Sequence, residues 1–549
     1  MWEKYKTEMS EDILRTLQRQ NPQQQLTFSQ QIFNQALVCL EDLCLSMNGK
    51  TLGVLGLPSP QRDENSNHLS HEMLRETNYQ IKELAAFVAK NEPLLTPDQR
   101  EVYNAVLTAI KREMGGIIFL DAPGGTGKTF IINLLLAKIR QHKKIALAVA
   151  SSGIAATLLE GGRTAHSAFK LPLNLAHGES PVCNMSKGSG QAEVLQSCSA
   201  IIWDECTMSH KRALEAVDRL LQDLRGKKAL MGGVGIILAG DFRQTLPVIP
   251  RSTPADELNA CLKASHLWQH VKKMSLKTNM RVHLSGDASA GDFSERLRTL
   301  GDGKAPVDPA TDQIQFPSNF CYIVKSVEEL KEKVFSNIQL HFRNPKWLCE
   351  RAILAPKNDS VNKINLQIQA QLPGEPRIYK SIDTVLDPAQ AVYYPTEFLN
   401  TLEPVGLPPH NLVLKVGAPI MLLRNLDPPK LCNGTRLQVK NVFPHILEAT
   451  ILTGCAKGED VFIPRIPLIP SDLPFDFKRL QFPVRLAFAM SINKAQGQSL
   501  AVAGINLESS CFSHGQLYVA CSRVGSGKNL FIFAPEGKTR NIVYQKALM

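Results

Sequence analysis

Although the chain carries 12 cysteines, no two of them stand in a Cys-x-x-Cys pair, and no His-x-His occurs among its 13 histidines. The first absence excludes zinc knuckles and argues against paired disulfides, so reduced thiols in an intracellular compartment are expected. Long apolar runs are missing too. The longest uncharged run that is mainly apolar, residues 145–159, falls short of the ~20 residues that a membrane-spanning helix needs, and Ser151-Ser152-Gly153 breaks it. The opening residues, Met1-Trp2-Glu3-Lys4-Tyr5, hold no apolar core of the signal-peptide kind. A soluble protein with no membrane partner is therefore expected. Aromatic residues amount to only 6%, which leaves few rings for stacking on bases.

What is present describes a globular enzyme. The 549 residues suffice for several domains, and 44% hydrophobic with 21% charged residues lies near the globular average. Sixty-two basic against 51 acidic residues give a net charge of +11, which favours a polyanionic partner. The basic residues are scattered and clusters such as His142-Lys143-Lys144 are short, so a solvated basic surface explains the charge equally well.

Residues 1–90 read as a helical N-terminal region. Phe28, Ile32, Phe33, Ala36, Leu37, Leu40, Leu43, Cys44 and Met47 recur at helical spacing before Asn48-Gly49, residues 58–67 read as a loop, and a second helix is expected over 72–90. From Leu95 the texture alternates between strands and helices. The short apolar runs at 117–120, 145–150, 201–203 and 236–239 each lead into a Gly-bearing or acidic turn, the pattern of strands buried on both faces. An α/β fold with doubly wound parallel sheets follows, its ligand at the carboxyl ends of the strands. The first such domain is expected over 91–275, with 171–197, rich in Pro, Gly and Ser, as a surface insertion. A second is expected over 276–404 and 481–549, interrupted by a β-rich insertion at 405–480.

The segment 117–132 decides the chemistry. An apolar strand runs into Asp121-Ala122-Pro123-Gly124-Gly125-Thr126-Gly127-Lys128-Thr129 and then into a helix. Glycines let backbone N–H groups wrap phosphates, the helix N-terminus adds its positive end, Lys128 reaches the β/γ oxygens, and the Thr129 hydroxyl suits Mg²⁺. Ala122 stands where the pattern has Gly, which is tolerable at negative φ. A second strand ends in Trp203-Asp204-Glu205, offering Asp204 for Mg²⁺ and Glu205 to polarise the attacking water. A third ends in Gly240-Asp241-Phe242-Arg243-Gln244, where Gln244 can sense the γ-phosphate. Upstream, Thr96-Pro97-Asp98-Gln99 has the form of a helix start closed by a capping box, and Gln99 suits the adenine edge as well as it suits the cap. Arg281 and Arg523 are candidates for neutralising charge on the γ-phosphate, although a surface location is the commoner fate of an arginine.

Taken in order, DAPGGTGKTF (121–130), SSGIAATLLEGGRTAHSAF (151–169), WDECTM (203–208), GGVGIILAGDFRQTLPV (232–248), LCNGTRLQV (431–439), FAMSINKAQGQSL (488–500) and YVACSRV (518–524) resemble the petite-integration-frequency helicases of superfamily one, relatives of RecD-like enzymes. NGKTLGVLGLP (48–58) and LRETNY (74–79) further resemble the helicase half of Helitron transposon proteins, whose nuclease half uses a His-x-His pair. With no such pair here, the chain resembles the motor alone, either by truncation or as a separate gene, and in the second case a separate rolling-circle nuclease is a partner. The resemblance implies two RecA-like P-loop domains with an SH3-like module at 405–480. It implies ATP hydrolysis with Mg²⁺ and 5′-to-3′ translocation on single-stranded DNA toward duplex junctions. It also implies a nuclear setting in recombination, repair, telomere maintenance or transposition. It places Gln99 on adenine, Arg281 and Arg523 on the γ-phosphate, and Ser152, His166, Asn358, Asn493, Lys494 and Gln496 along the DNA. Asn493, Ala495, Cys206 and Cys521 depart from the family pattern. A noncatalytic DNA-binding relic and an RNA helicase are the alternatives.

Overall fold

The computed structural model describes every residue except 1, 21–26, 49–50, 62–70, 113–114, 173–174, 176–180, 250–251, 281–287, 318, 388–391, 471–472 and 474. Most of the loop expected at 58–67 and part of the insertion expected at 171–197 lie outside the described residues. Two compact units result, 1–75 and 76–549.

The N-terminal unit holds two long helices, Trp2–Gln20 and Gln30–Asn48. Only the second was legible, because its apolar residues repeat cleanly. Trp2, Ala36, Leu37 and Leu52 form its small core. The unit ends earlier than residue 90. The helix expected over 72–90 is two helices, His71–Thr77 and Ile81–Asn91, and the latter packs Leu84 and Val88 into the core of the larger unit. Within that unit the LRETNY segment also finds its partners. The Glu76 carboxylate accepts from Arg163 at 2.8 Å, and the Tyr79 ring lies 4.3 Å from the Arg140 guanidinium.

The first lobe is a six-stranded sheet of β1 (Gly116–Asp121), β2 (Ala146–Ala150), β3 (Arg163–Thr164), β4 (Ala200–Asp204), β5 (Gly235–Gly240) and β6 (Val271–Ser275), in the order β3-β2-β4-β5-β1-β6. All its pairings are parallel. Ile118, Leu120, Ala148 and Ile202 point into one core with the helix Lys128–Gln141. On the other face Phe119 meets Phe242 and Trp268 with ring centroids 5.1 and 5.2 Å away. Burial on both faces explains why these strands read as unbroken apolar runs. The carboxyl ends of β1, β5 and β4 lie side by side, which sets the P-loop beside Asp241 and Asp204. The segment 171–197 is more than surface: it includes the helix Gly190–Ser197, which buries Ala192, Val194 and Leu195.

The second lobe is a five-stranded parallel sheet in the order Ala489–Ser491, Arg351–Ala355, Val502–Asn506, Leu530–Phe533, Tyr322–Val324. Between its second and third strands in sequence, Arg351–Ala355 and Ala489–Ser491, comes a β-rich module of antiparallel strands. That module begins earlier and ends later than 405–480. It recruits Arg377–Lys380 and Ile382–Val385 at one end and Val484–Leu486 at the other. These recruited strands pair with residues roughly 30 to 100 positions away along the chain, so local periodicity could not mark the module's borders.

Candidate active site

The P-loop takes its shape from backbone freedom at two glycines and from one bracing amide. Gly125 and Gly127 have φ of +90° and +79°, values that other L-residues adopt with strain. A Cβ at Gly127 would lie 2.7 Å from Gln99 Nε2. Gln99 is fully buried; it donates to Thr126 O at 3.0 Å and accepts from Thr96 N at 3.2 Å. Its amide thus satisfies the first N–H before the helix and props the P-loop from behind, while its own backbone N–H donates to Asp98 Oδ1 at 3.0 Å, so only half of the expected capping box forms. Ala122 is buried, keeps φ negative and donates to Gly240 O at 3.0 Å, so its Cβ costs the loop nothing. Pro123 O accepts from the Thr126 hydroxyl at 2.8 Å. Gly124 is exposed toward the second lobe, and Thr129 is half-buried at the second position of the helix.

Lys128 is bound to both carboxylates that follow β4, at 2.8 Å from Asp204 Oδ1 and 2.5 Å from Glu205 Oε1. Burial opposes its charge, but the two anions outweigh burial and hold the ammonium protonated far above the usual lysine range. Burial pushes Asp204 up, against the pull of Lys128. Glu205 sits in the left-handed region with φ +49°, a strained position for a side chain of its size and of the kind found at functional sites. Its second oxygen, Oε2, is buried without a hydrogen-bond partner.

The second lobe closes the site. Arg523 is buried; it donates to Ala495 O and Gln498 O at 3.2 Å and to Ser522 Oγ at 2.7 Å. Ser522 in turn lies against the P-loop, since a Cβ at Gly124 would be 3.7 Å from its own. Gln244 is buried and accepts from Gln496 Nε2 at 3.4 Å. Arg281 lies outside the described residues.

A model of the PIF1-like helicases matches residues 94–311, and one of the 2B domain of DNA helicase Pif1 matches 397–442. Over these residues the chain is similar to the PIF1-like helicases. It is 27% identical over 440 residues to the ATP-dependent DNA helicase PIF1 of Danio rerio, an alignment covering 79% of this chain and 60% of that protein. The chain thus spans about 60% of the length of that relative. Among solved structures, Pif1 helicase from Candida albicans superposes with a TM-score of 0.57 at 22% identity, over 83% of this chain and 98% of that one. Pif1 helicase from Bacteroides in complex with ADP-AlF3 and ssDNA gives 0.57 at 20%, over 83% and 95%. The RecA-like two-lobed α/β fold is shared with both.

In this PIF1-like chain the residues expected along DNA divide. Lys494 is exposed, with its ammonium 3.3 Å from Asn433 Oδ1. His166 and Asn358 are exposed as well. Ser152 caps the helix Gly153–Thr157 by accepting from Ala155 N, and Asn493 meets Gln516. Gln496 differs from the expectation. It is 2% exposed and faces Gln244 across the lobes, so it sits in the seam instead of on a track. Phe169 and Phe488 are buried, packed on Trp203 and Phe335, so neither ring is open to a base.

Sequence reasoning missed a second polar cluster beside the P-loop. Asp241 is wholly buried and accepts from the Tyr518 hydroxyl at 2.8 Å. Arg243 reaches Asp241 at 3.3 Å, Asp121 at 3.8 Å and Asp302 at 2.7 Å. Burial, with Asp241 nearby, pushes Asp121 up to about 6. Asp98 was also missed. Burial would raise it, but Thr96, Thr278, Lys277 and Gln99 all donate to its carboxylate and hold it well below the usual range. Asp98, Asp121, Asp241, Arg243 and Tyr518 all lie inside the motifs above, yet only long-range contact distinguishes them from ordinary turn residues.

Proposed function

We propose that this chain is an ATP-dependent DNA helicase that cleaves ATP at the seam of its lobes and moves 5′-to-3′ on single-stranded DNA. The reading is carried by the convergence of Lys128, Asp204, Glu205, Gln244 and the Ser522-Arg523 pair on one seam. The Danio rerio relative is named for this activity, and a related structure holds ADP-AlF3 and ssDNA.

Each side chain has a task that its present partners make specific. Lys128 exchanges its carboxylates for the β/γ oxygens, and that exchange frees Glu205 to orient water. Arg523 turns from the carbonyls of Ala495 and Gln498 toward the γ-phosphate, and Arg281 is proposed to join it. The buried Gln244–Gln496 contact carries the state of the phosphate site to the second lobe. Magnesium fits the donor set: the Thr129 hydroxyl and Asp204 would hold it, and the buried Oε2 of Glu205, which has no hydrogen-bond partner, leaves an acceptor beside them unsatisfied. When bound, such an ion neutralises phosphate charge. The exposed His166, Asn358 and Lys494 serve the strand. A nuclear setting and a separate nuclease follow from the Helitron-like segments.

ATP turnover with and without single-stranded DNA, on the intact chain and on Glu205→Gln, tests the reading. The expected result is turnover stimulated by DNA and lowered on the order of 10²–10³-fold in the variant, with nucleotide binding retained. Turnover indifferent to DNA, or stimulated equally by RNA, rejects it.

A further inference from the structure

The P-loop of this chain has a second clamp besides Lys128. Tyr518, on the helix Gln516–Cys521 of the second lobe, is 3% exposed. Its hydroxyl donates to Asp241 Oδ2 at 2.8 Å and accepts from Gly124 N at 3.4 Å. The ring cannot swing aside freely: a Cβ at Gly301 would already lie 2.8 Å from Tyr518 Cδ2 and 3.0 Å from Arg243 Cδ. Asp241 is held in turn by Arg243, three residues from the carbonyl end of β5 and one residue before Gln244.

A phenol has one hydrogen to give. Here that hydrogen goes to Asp241, so the oxygen turned toward the P-loop presents lone pairs. Lone pairs suit a backbone N–H and repel phosphate oxygens. The hydroxyl therefore competes with a triphosphate for the mouth of the loop.

We propose that Tyr518 is a positioning residue: it tethers the second lobe to the P-loop through Gly124 and Asp241, and entry of the nucleotide's phosphates must break this tether. The inference rests on the ATPase reading above. Its consequence is a coupling route separate from Arg523. Filling the P-loop releases the helix that carries Tyr518, while Asp241 reports the release to the loop bearing Gln244.

Tyr518→Phe deletes the hydroxyl and keeps the ring that packs on Gly301. A single hydrogen bond governs roughly a 2- to 10-fold change in an equilibrium. The intact chain and the variant are compared by titration with a fluorescent ATP analogue, by KM and kcat for ATP with saturating single-stranded DNA, and by thermal melting. Expected are analogue binding tighter by that factor, a lower KM with a lower kcat, and a melting temperature lowered by no more than the loss of one buried hydrogen bond. A merely structural tyrosine would lower stability and leave KM unchanged or raised. Unchanged or weaker analogue binding by Tyr518→Phe overturns the proposal. An intact chain that binds no analogue overturns the ATPase reading and the proposal with it, so the two failures are distinct.

Discussion

Lys128 neutralises two buried carboxylates at once, which changes what its removal does. In Lys128→Ala, Asp204 and Glu205 face each other without their cation, and breaking a buried ion pair costs about 3 kcal/mol or more. The loss has a pH dependence. Burial already raises Asp204 above its ordinary value, and without Lys128 it rises further. The folded state then binds more protons than the unfolded state between the two values, so stability falls as pH climbs through that window. Lys128→Ala is accordingly expected to melt well below the intact chain at pH 7 and closer to it at pH 5. Equal deficits at both pH values would show that the carboxylates do not depend on Lys128. An isosteric Glu205→Gln, which removes one anion and keeps the cation satisfied by Asp204, is for this reason the cleaner probe of catalysis.

Among the elements, the β-rich module is fixed to the second lobe by buried arginines whose roles no local pattern reveals. Arg436, on the strand Arg436–Val442, is fully buried and donates to the carbonyls of Leu348, Cys349, Arg351 and Ala487. Burial lowers it to about 10, still charged at neutral pH. Those carbonyls end one helix and begin a strand of the lobe, so one side chain ties three segments together. Arg436→Met keeps the volume and strands the carbonyls. It is expected to lower stability by about 3 kcal/mol, read as a fall in melting temperature; a fall within error would mean that the carbonyls find other donors. Within the module, Arg479 and Asp383 pair across neighbouring strands with both side chains at 0% exposure. Their burial shows why a charged residue in a sequence is a poor guide to a surface.

At the scale of the molecule, a net charge of +11 serves DNA only where cations stay exposed along one path. Lys494 is such a cation. Lys494→Ala is expected to weaken single-stranded DNA binding about evenly across sequences and to lower the slope of log affinity against log salt by about 0.7. An unchanged slope would take Lys494 off the phosphates.

The P-loop, the Asp204-Glu205 pair and the alternating strands were legible in the sequence because each rests on local rules: glycines at positive φ, carboxylates at strand ends, and apolar runs buried on two faces. Those rules act within ten or so residues, and for that reason they settled the fold class and pointed to the chemistry proposed for the first lobe. Tertiary structure alone decided that Gln99 braces the loop, that Gln496 lies in the seam, that the module reaches from 377 to 486, and that Tyr518 meets Gly124. Each is a contact between residues up to 394 positions apart, and whether a polar side chain faces solvent, a carbonyl or a phosphate is fixed by the packing of segments that carry no record of one another in their spacing.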